Sequence, residues 1–231
     1  MAAVVLDDAV SGGGGGGRAG CMTSHDVVGG GSLESYRYYV SRRTVMEMLN
    51  DRGYNVADSD LTRSLTGFRT AFGQNPDLDR LTICASLRSN SKNKIMVIFC
   101  GTDEIRKASV RAIYANLLNK DISSLMLVLQ SKMNSYARKE LENYPYKVET
   151  FHISELLVNV TNHVLQPKYE ILSAEEKKHL LRKFKLEDKK LPLMLETDAF
   201  ARYYGLEKGQ VVKITYRGGA VGALKTYRCI V

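Results

Sequence analysis

Cysteine is scarce in this sequence, and its four copies are widely scattered. Cys21, Cys84, Cys100 and Cys229 form no C-x-x-C pair. Disulfide frameworks and structural zinc sites depend on closely spaced cysteines. We therefore expect reduced thiols, most of them buried, and neither a disulfide framework nor a zinc site.

Long apolar runs and targeting signals are also missing. The longer apolar runs, such as IMVIFC (95–100) and LMLVL (125–129), fall far short of a membrane span, which needs about 20 apolar residues. The N-terminus begins MAAVVLDDAV and lacks the cationic start and the apolar core of a secretory signal. We expect an intracellular protein that does not cross a membrane.

No group of residues typical of an active site is evident. A metal-dependent nuclease would place an acid and then an acid-x-Lys triplet on adjoining strands. The segment NKIMVIFC (93–100) contains no acid, and the triplet at 187–189 lies in the other predicted domain. The glycine run at 12–17 lacks both the preceding strand and the Lys-Ser/Thr pair of a phosphate loop. We predict no catalytic, cofactor or metal residues.

The composition is that of a folded protein with an uneven charge. The chain has 231 residues, of which 44% are hydrophobic and 25% charged, enough for one large domain or two small ones. Of its net charge of +8, most belongs to residues 164–231, which carry 14 Lys and Arg against 8 Asp and Glu. Such an excess of positive charge is compatible with binding to phosphate groups, with binding to an acidic protein surface, or with solubility alone. The charge by itself does not distinguish these explanations.

The hydrophobic pattern predicts a flexible glycine-rich tail over 1–32 and an α/β domain over 33–157. The segment 34–54 predicts an amphipathic helix that stops at Gly53. A second helix would begin with Ser59 as its cap and end at Gly73. The pattern then predicts strands at 80–88, 93–100, 124–130 and 147–153, with helices at 103–118 and 135–144. This alternation is typical of a partly parallel sheet flanked by helices in a three-layer arrangement.

Residues 158–231 predict a small α+β domain. The segment HVLQPKYEIL (163–172) is interpreted as an extended connection. Ser173 and Glu176 then form the capping box of a helix rich in Lys and Arg, whose basic side we interpret as solvated, with a specific anion site as the alternative. A short helix capped by Thr197 or Asp198 ends at Gly205, and two strands follow, QVVKITY and LKTYRCIV.

Several segments of this C-terminal domain carry a resemblance to a known family. HVLQPKYEILSAEE, LPLMLETDAFARYYGLEKGQVVKI and the terminal TYR resemble the assembly domain of the fifth subunit of eukaryotic nuclear RNA polymerases and of its archaeal counterpart. TVMEMLNDRGY, FRTAFG and ELLVNVTNH resemble the jaw domain of that subunit, so the resemblance covers roughly residues 35–231.

The resemblance implies a non-catalytic nuclear subunit that docks on the largest polymerase subunit. Its jaw domain would reach toward downstream duplex DNA, which it would contact weakly and through the complex. Nucleotide addition with magnesium belongs to the two largest subunits of such enzymes. The resemblance therefore implies no cofactor, small-molecule substrate or membrane partner for this chain.

Some positions depart from the family pattern. Ala199 replaces the proline of the family's DPVARY segment, Gln166 and Tyr169 replace a usual valine and histidine, and the loop at 217–223 replaces a turn containing Ser or Thr. Together with the glycine-rich leader, these departures resemble a diverged paralogue, such as the form that plants use in RNA polymerase V for small-RNA-directed DNA methylation.

For the segment 201–218 we expect protein docking rather than DNA contact. Its cations Arg202, Lys208 and Lys213 would stay solvent-facing or pair with acids of a partner. Its tyrosines would either anchor the interface or cover the domain's own core. The predicted docking residues are Arg202, Tyr203, Tyr204, Gly205, Lys208, Gly209, Gln210, Lys213, Tyr227 and Arg228. The alternative function is a freestanding nucleic-acid-binding protein that uses the basic C-terminal domain.

Overall fold

The computed structural model describes residues 32–118, 120–162, 166–185, 190–216 and 224–231. The α-helices in these ranges are α1 (Leu33–Asp51), α2 (Asp58–Leu61), α3 (Leu65–Phe72), α4 (Leu78–Leu81), α5 (Lys107–Leu117), α6 (Ser135–Glu142), α7 (Ala174–Phe184) and α8 (Ala199–Tyr204). The strands are β1 (Ile83–Leu87), β2 (Asn90–Phe99), β3 (Ser124–Leu129), β4 (Lys147–His152), β5 (Lys168–Ile171), β6 (Leu193–Met194), β7 (Val211–Tyr216) and β8 (Leu224–Ile230). Short 3₁₀ turns span Ile153–Leu156 and Val160–Asn162.

The first sheet has the strand order β1-β2-β3-β4. β1 and β2 pair antiparallel, whereas β2, β3 and β4 run parallel, which confirms the predicted α/β fold. Alternate residues of β3 enter two cores, because side chains of a strand point to opposite faces. Met126 and Val128 pack with α1 on one face, and Leu125 and Leu127 pack with α5 and α6 on the other. The sheet is therefore the middle of three layers.

The N-terminal segments differ from the prediction at two points. The strand predicted at 80–88 starts too early, because residues 80 and 81 belong to α4 and β1 begins at Ile83. The single helix capped by Ser59 is wrong, because α2 and α3 are separate and Ser59 lies inside α2. Ser64 has an extended backbone, and its hydroxyl accepts a hydrogen bond from the Gly67 N–H at 3.1 Å, which starts a new helix. The predicted tail lies outside the described residues except for Ser32, whose side chain caps α1.

The second sheet has the strand order β5-β7-β8-β6, so β6 pairs only with β8 in this order. The segment interpreted as a mere connection, 163–172, contains β5, which pairs antiparallel with β7. Val212 and Ile214 pack against α8 on one face, and Val211 and Cys229 pack against α7 on the other. Each face of this sheet therefore has one helix.

The predicted helix caps of this domain are present. Ser173 and Glu176 form the expected capping box at the start of α7. The Asp198 side chain, rather than that of Thr197, caps α8 by accepting a hydrogen bond from the Phe200 N–H at 2.9 Å. The predicted replacement loop at 217–223 lies outside the described residues.

Within the described ranges, none of the helices has the length and apolar character to cross a membrane. The same ranges contain no group of three or more His, Cys, Asp or Glu side chains arranged to hold a metal ion.

The three described cysteines should react with a thiol reagent at different rates. Cys84 is exposed, Cys100 and Cys229 are buried, and none of the three is in a disulfide; burial raises the pKa of Cys100 to about 11 and disfavours its reactive thiolate. In a Cys21→Ser protein at pH 8, we expect a disulfide reagent to label one thiol quickly and all three after denaturation. A Cys84→Ser control should lose the fast phase, and fast labelling of Cys100 would contradict the fold.

Candidate docking surface

The structure places the predicted docking residues in three locations rather than one. The first group, Arg202 to Gly205, lies at the end of α8 against the first sheet. The second group, Lys208 to Gln210, forms the turn before β7. The third group, Lys213, Tyr227 and Arg228, lies on β7 and β8.

Arg202 binds the edge strand of the first sheet. Its Nη2 donates a hydrogen bond to the Thr150 carbonyl of β4 at 2.6 Å, and Nη1 forms an ion pair with Glu155. The guanidinium also lies 4.4 Å from the centre of the Phe151 ring, a cation–π distance. These contacts engage Arg202 within the chain itself.

Tyr203 is buried in the core beside α1. Its hydroxyl donates a hydrogen bond to Asp51 Oδ2 at 2.8 Å and accepts one from Asn159 Nδ2 at 3.3 Å. Burial raises the pKa of this phenol, so it stays neutral. Tyr204 packs edge-on against Tyr203, at 5.1 Å between ring centres, and contacts the cores of both sheets.

A second arginine, Arg52, connects the two sheets through four hydrogen bonds. Arg52 follows α1, and its side chain is 6% exposed. It donates hydrogen bonds to the carbonyls of Tyr203 at 2.7 Å and Arg202 at 2.6 Å. Nη1 and Nη2 also bind the two carboxylate oxygens of Glu149 at 3.1 and 2.8 Å. We call these four residues the Arg52 clamp.

The Arg52 clamp satisfies the C-terminal end of α8. The last carbonyls of a helix have no partner within the helix, and a cation beside them also interacts favourably with the helix dipole. The same arginine pairs with Glu149 in the middle of β4. One side chain thus joins α1, β4 and α8.

Gly205 completes this junction. It ends α8 with φ of +64° and ψ of 37°, a left-handed conformation that favours glycine. A Cβ atom there would lie 3.1 Å from Cζ and from Nη1 of Arg52. Lys147 binds the Gly205 carbonyl at 3.3 Å and Glu207 at 2.6 Å. The sequence indicated the helix stop but not the close approach of Arg52.

The turn before β7 is held by hydrogen bonds within itself and to neighbouring segments. Gly209 has φ of +84°, and its N–H donates a hydrogen bond to the Ile230 carbonyl at 2.9 Å. The Gln210 side chain accepts a hydrogen bond from the Glu207 N–H at 2.9 Å. Lys208 is exposed, and its backbone N–H binds Glu196 at 3.2 Å.

The third group is divided between the two faces of the second sheet. Lys213 and Tyr227 are cross-strand partners on the α7 face, whereas Arg228 lies opposite Val212 on the α8 face. Glu170 accepts a hydrogen bond from Lys213 at 2.5 Å and pairs with Lys168 at 2.6 Å. These two cations lower the pKa of Glu170 to about 2.

An exposed apolar strip at the β6 edge was not predicted. Leu193 is 54% exposed, Leu195 is 62% exposed, and Pro192 and Val231 beside them are also exposed. Val231 is fixed to β6 by a hydrogen bond from its N–H to the Met194 carbonyl at 3.0 Å. We call these four residues the β6 edge patch. The only sequence signal was the run LPLML, in which no polar residue marks an outward face.

Two predicted docking residues adjoin the β6 edge patch. Glu196 donates its N–H to the Val231 carbonyl at 3.1 Å, and its carboxylate accepts the Lys208 N–H. The Gly209 N–H binds Ile230, the residue before Val231. An apolar strip thus lies beside a rim of charged side chains, the usual anatomy of a protein interface.

Two models of known protein families match parts of this chain. A model of the N-terminal domain of RNA polymerase Rpb5 matches residues 32–117, and a model of its C-terminal domain matches residues 158–230. DNA-directed RNA polymerase V subunit 5C of Arabidopsis thaliana is 52% identical over 91% of this chain and 90% of its own length.

More distant relatives cover a similar share. DNA-directed RNA polymerases IV and V subunit 5B of Arabidopsis thaliana is 47% identical over 88% of this chain and 94% of its own length. Subunit RPABC1 of DNA-directed RNA polymerases I, II and III of Caenorhabditis elegans is 35% identical over 86% of this chain and 98% of its own length. The resemblance found in the sequence is confirmed, and the chain belongs to the Rpb5 family of DNA-directed RNA polymerase subunits.

Proposed function

We propose that this protein is a non-catalytic structural subunit of a nuclear RNA polymerase of the polymerase V type. It docks on the largest subunit and helps form the jaw around downstream duplex DNA. The observation that carries the proposal is the 52% identity with a polymerase V subunit over 91% of the chain. The identity with RPABC1, which serves polymerases I, II and III, is 35%.

The β6 edge patch is the docking centre in this proposal. Leucines that are more than half exposed lose their contact with water when a partner covers them, which favours association. Lys208 provides part of the polar rim. Because β6 is an edge strand, its outer side is open to another chain within the described residues.

The residues of the first group serve a different purpose in this proposal. Arg202, Tyr203 and Gly205 join the second sheet to the first through the Arg52 clamp. Docking of the second sheet therefore also sets the direction of the first sheet. A jaw must be held at a fixed angle to its support, and this junction supplies that rigidity.

Affinity purification tests the docking. We expect the tagged protein to retain the large subunits of one polymerase through a high-salt wash, and the identity of the largest subunit gives the polymerase type. A Leu193→Asp, Leu195→Asp variant should retain about tenfold less of the largest subunit, because charge replaces the apolar centre.

A Leu118→Asp variant is the matched control, since Leu118 is 61% exposed on the first domain. It should retain the polymerase at the level of the unsubstituted protein. If the unsubstituted protein brings down no large subunit, the proposed function is wrong. If the unsubstituted protein and the double variant retain the largest subunit equally well, the docking centre lies elsewhere.

A further inference from the structure

Two arginines of the first domain share a single carboxylate oxygen. Arg42 lies within α1, and Arg63 lies in the loop between α2 and α3. Nη1 of Arg42 lies 3.4 Å from Oδ1 of Asp60, and Nη2 of Arg63 donates a hydrogen bond to the same oxygen at 3.0 Å. We call these three residues the Arg42 site. Two positive charges thus meet one negative charge.

The Arg42 site is largely shielded from water. The side chain of Arg42 is 10% exposed, that of Asp60 25% and that of Arg63 30%. Burial lowers the pKa of Arg42, and the charge of Arg63 acts in the same direction against the opposing effect of Asp60. A guanidinium that is withdrawn from water needs a full set of acceptors to offset the loss of hydration.

Most N–H groups of the two guanidinium groups lack such an acceptor. Each arginine side chain has five N–H donors. Among the described residues, the hydrogen bonds of these two side chains are limited to the two on Asp60, and the buried Nε atoms of both arginines have no partner. Buried donors in folded proteins are nearly always bonded. A water molecule satisfies a donor but does not balance the charge, so the site is short of an anion.

The surroundings of the Arg42 site add positive charge. The centre of the Phe72 ring lies 5.2 Å from Cζ of Arg42 and 5.9 Å from Cζ of Arg80, so a third cation lies nearby. The ring attracts Arg42 but has no net charge. Asp58, the other acid of α2, forms no ion pair with either arginine within the part of the chain that the structure describes. The three arginines therefore exceed Asp60 by two charges.

We propose that the Arg42 site binds a phosphate group of the monoester class. Such a group carries a charge of about −1.5 to −2 at pH 7 and three acceptor oxygens. It therefore balances the excess charge and supplies acceptors to both planar guanidinium forks. A carboxylate has one charge and two oxygens, which match one fork. The phosphate enters beside Arg63, the more exposed arginine of the site. The inference does not depend on the proposed docking, because the β6 edge patch lies in the other domain.

The test is an NMR titration of the ¹⁵N-labelled full chain with sodium phosphate at about pH 7.5, where phosphate is largely dianionic. KCl keeps the ionic strength constant. The Nε–H signals of Arg42 and Arg63, assigned from their loss in single variants, should shift and reach saturation. We expect half-saturation at about 1 to 10 mM, since so small an anion has few atoms with which to bind.

Two substitutions should act in opposite directions. Arg63→Gln should weaken phosphate binding at least about tenfold, because it removes a charged hydrogen-bonding partner. Arg63→Lys should recover little of that loss, since an ammonium keeps the charge but lacks the fork. Asp60→Asn should strengthen binding at least about threefold, because a competing negative charge is removed. A cluster with a purely structural role would show no such gain.

Arg106→Gln is the matched control, because Arg106 is a cation of the same domain that is 71% exposed. It should leave the titration unchanged, and circular dichroism checks the fold of each variant. O-phosphoserine in place of inorganic phosphate distinguishes a phosphorylated side chain from the free ion, according to which binds more tightly. Displacement of phosphate by duplex DNA at an equal phosphate concentration would overturn the assignment to a monoester. Equal shifts with chloride alone, unchanged binding in Arg63→Gln, or weaker binding in Asp60→Asn would overturn the site itself.

Discussion

Replacing Arg52 with alanine is expected to lower the free energy of unfolding by about 3 to 5 kcal/mol, the usual cost of removing one partner of a buried ion pair. Glu149, which is 18% exposed, loses its cation, and the carbonyls of Arg202 and Tyr203 lose their donor. In a protein of this size each kcal/mol lowers the melting temperature by about 2 to 4 °C. Urea and thermal unfolding followed by circular dichroism measure both quantities.

A surface pair provides the comparison. Arg106 is 71% exposed and pairs with Glu104, which is 51% exposed. Arg106→Ala should cost about 0.5 kcal/mol or less. Arg52→Lys should recover little stability, because an ammonium cannot reproduce the planar fork that binds Glu149 and two carbonyls together. If Arg52→Ala costs no more than Arg106→Ala, the Arg52 clamp does not hold the two sheets together.

Gly205→Ala is expected to cost about 3 kcal/mol. A left-handed backbone costs a residue with a side chain about 1 to 2 kcal/mol, and the added Cβ would also displace the Arg52 guanidinium, 3.1 Å away. Gly209→Ala separates these two contributions, since Gly209 has φ of +84° and an added Cβ there would meet no atom within 4 Å. It should cost only the backbone part, about 1 to 2 kcal/mol, measured by the same urea unfolding.

A double variant tests whether the cost of Gly205→Ala depends on Arg52. In a protein that already carries Arg52→Ala, the Gly205→Ala change should cost about as much as Gly209→Ala does, because the guanidinium is no longer there to be displaced. Equal costs for Gly205→Ala with and without Arg52 would contradict the close approach.

The elements that the sequence predicted well are those whose signals are local. The apolar run at 125–129 is short and predicted a buried strand, and Ser173 with Glu176 specified the start of α7 within four residues. Gly205 marked a helix end because few other residues adopt its backbone conformation. The prediction that Ser59 caps a helix was wrong, because Ser64 follows closely and has an equal preference for the N-cap position. Local sequence preference does not decide which of the two serines starts the helix.

The features that the sequence did not predict depend on distant partners. β5 is a short segment after a proline, and it becomes a strand because β7 lies beside it. The pairing of Arg52 with Glu149 joins residues 97 positions apart, and an arginine after a helix ordinarily remains in solvent. Tyr203 had two interpretations, an anchor for a partner or part of the core, and its burial beside α1 is a tertiary effect.

The strand order of the second sheet also has a consequence for biosynthesis. β6 leaves the ribosome well before β8, the neighbour that pairs with it, so Leu193 and Leu195 emerge without a strand to join. Domains fold as units during translation, and unpaired edges invite association with other chains. The apolar edge of the nascent C-terminal sheet is therefore open to association with other chains until β8 has left the ribosome and paired with β6.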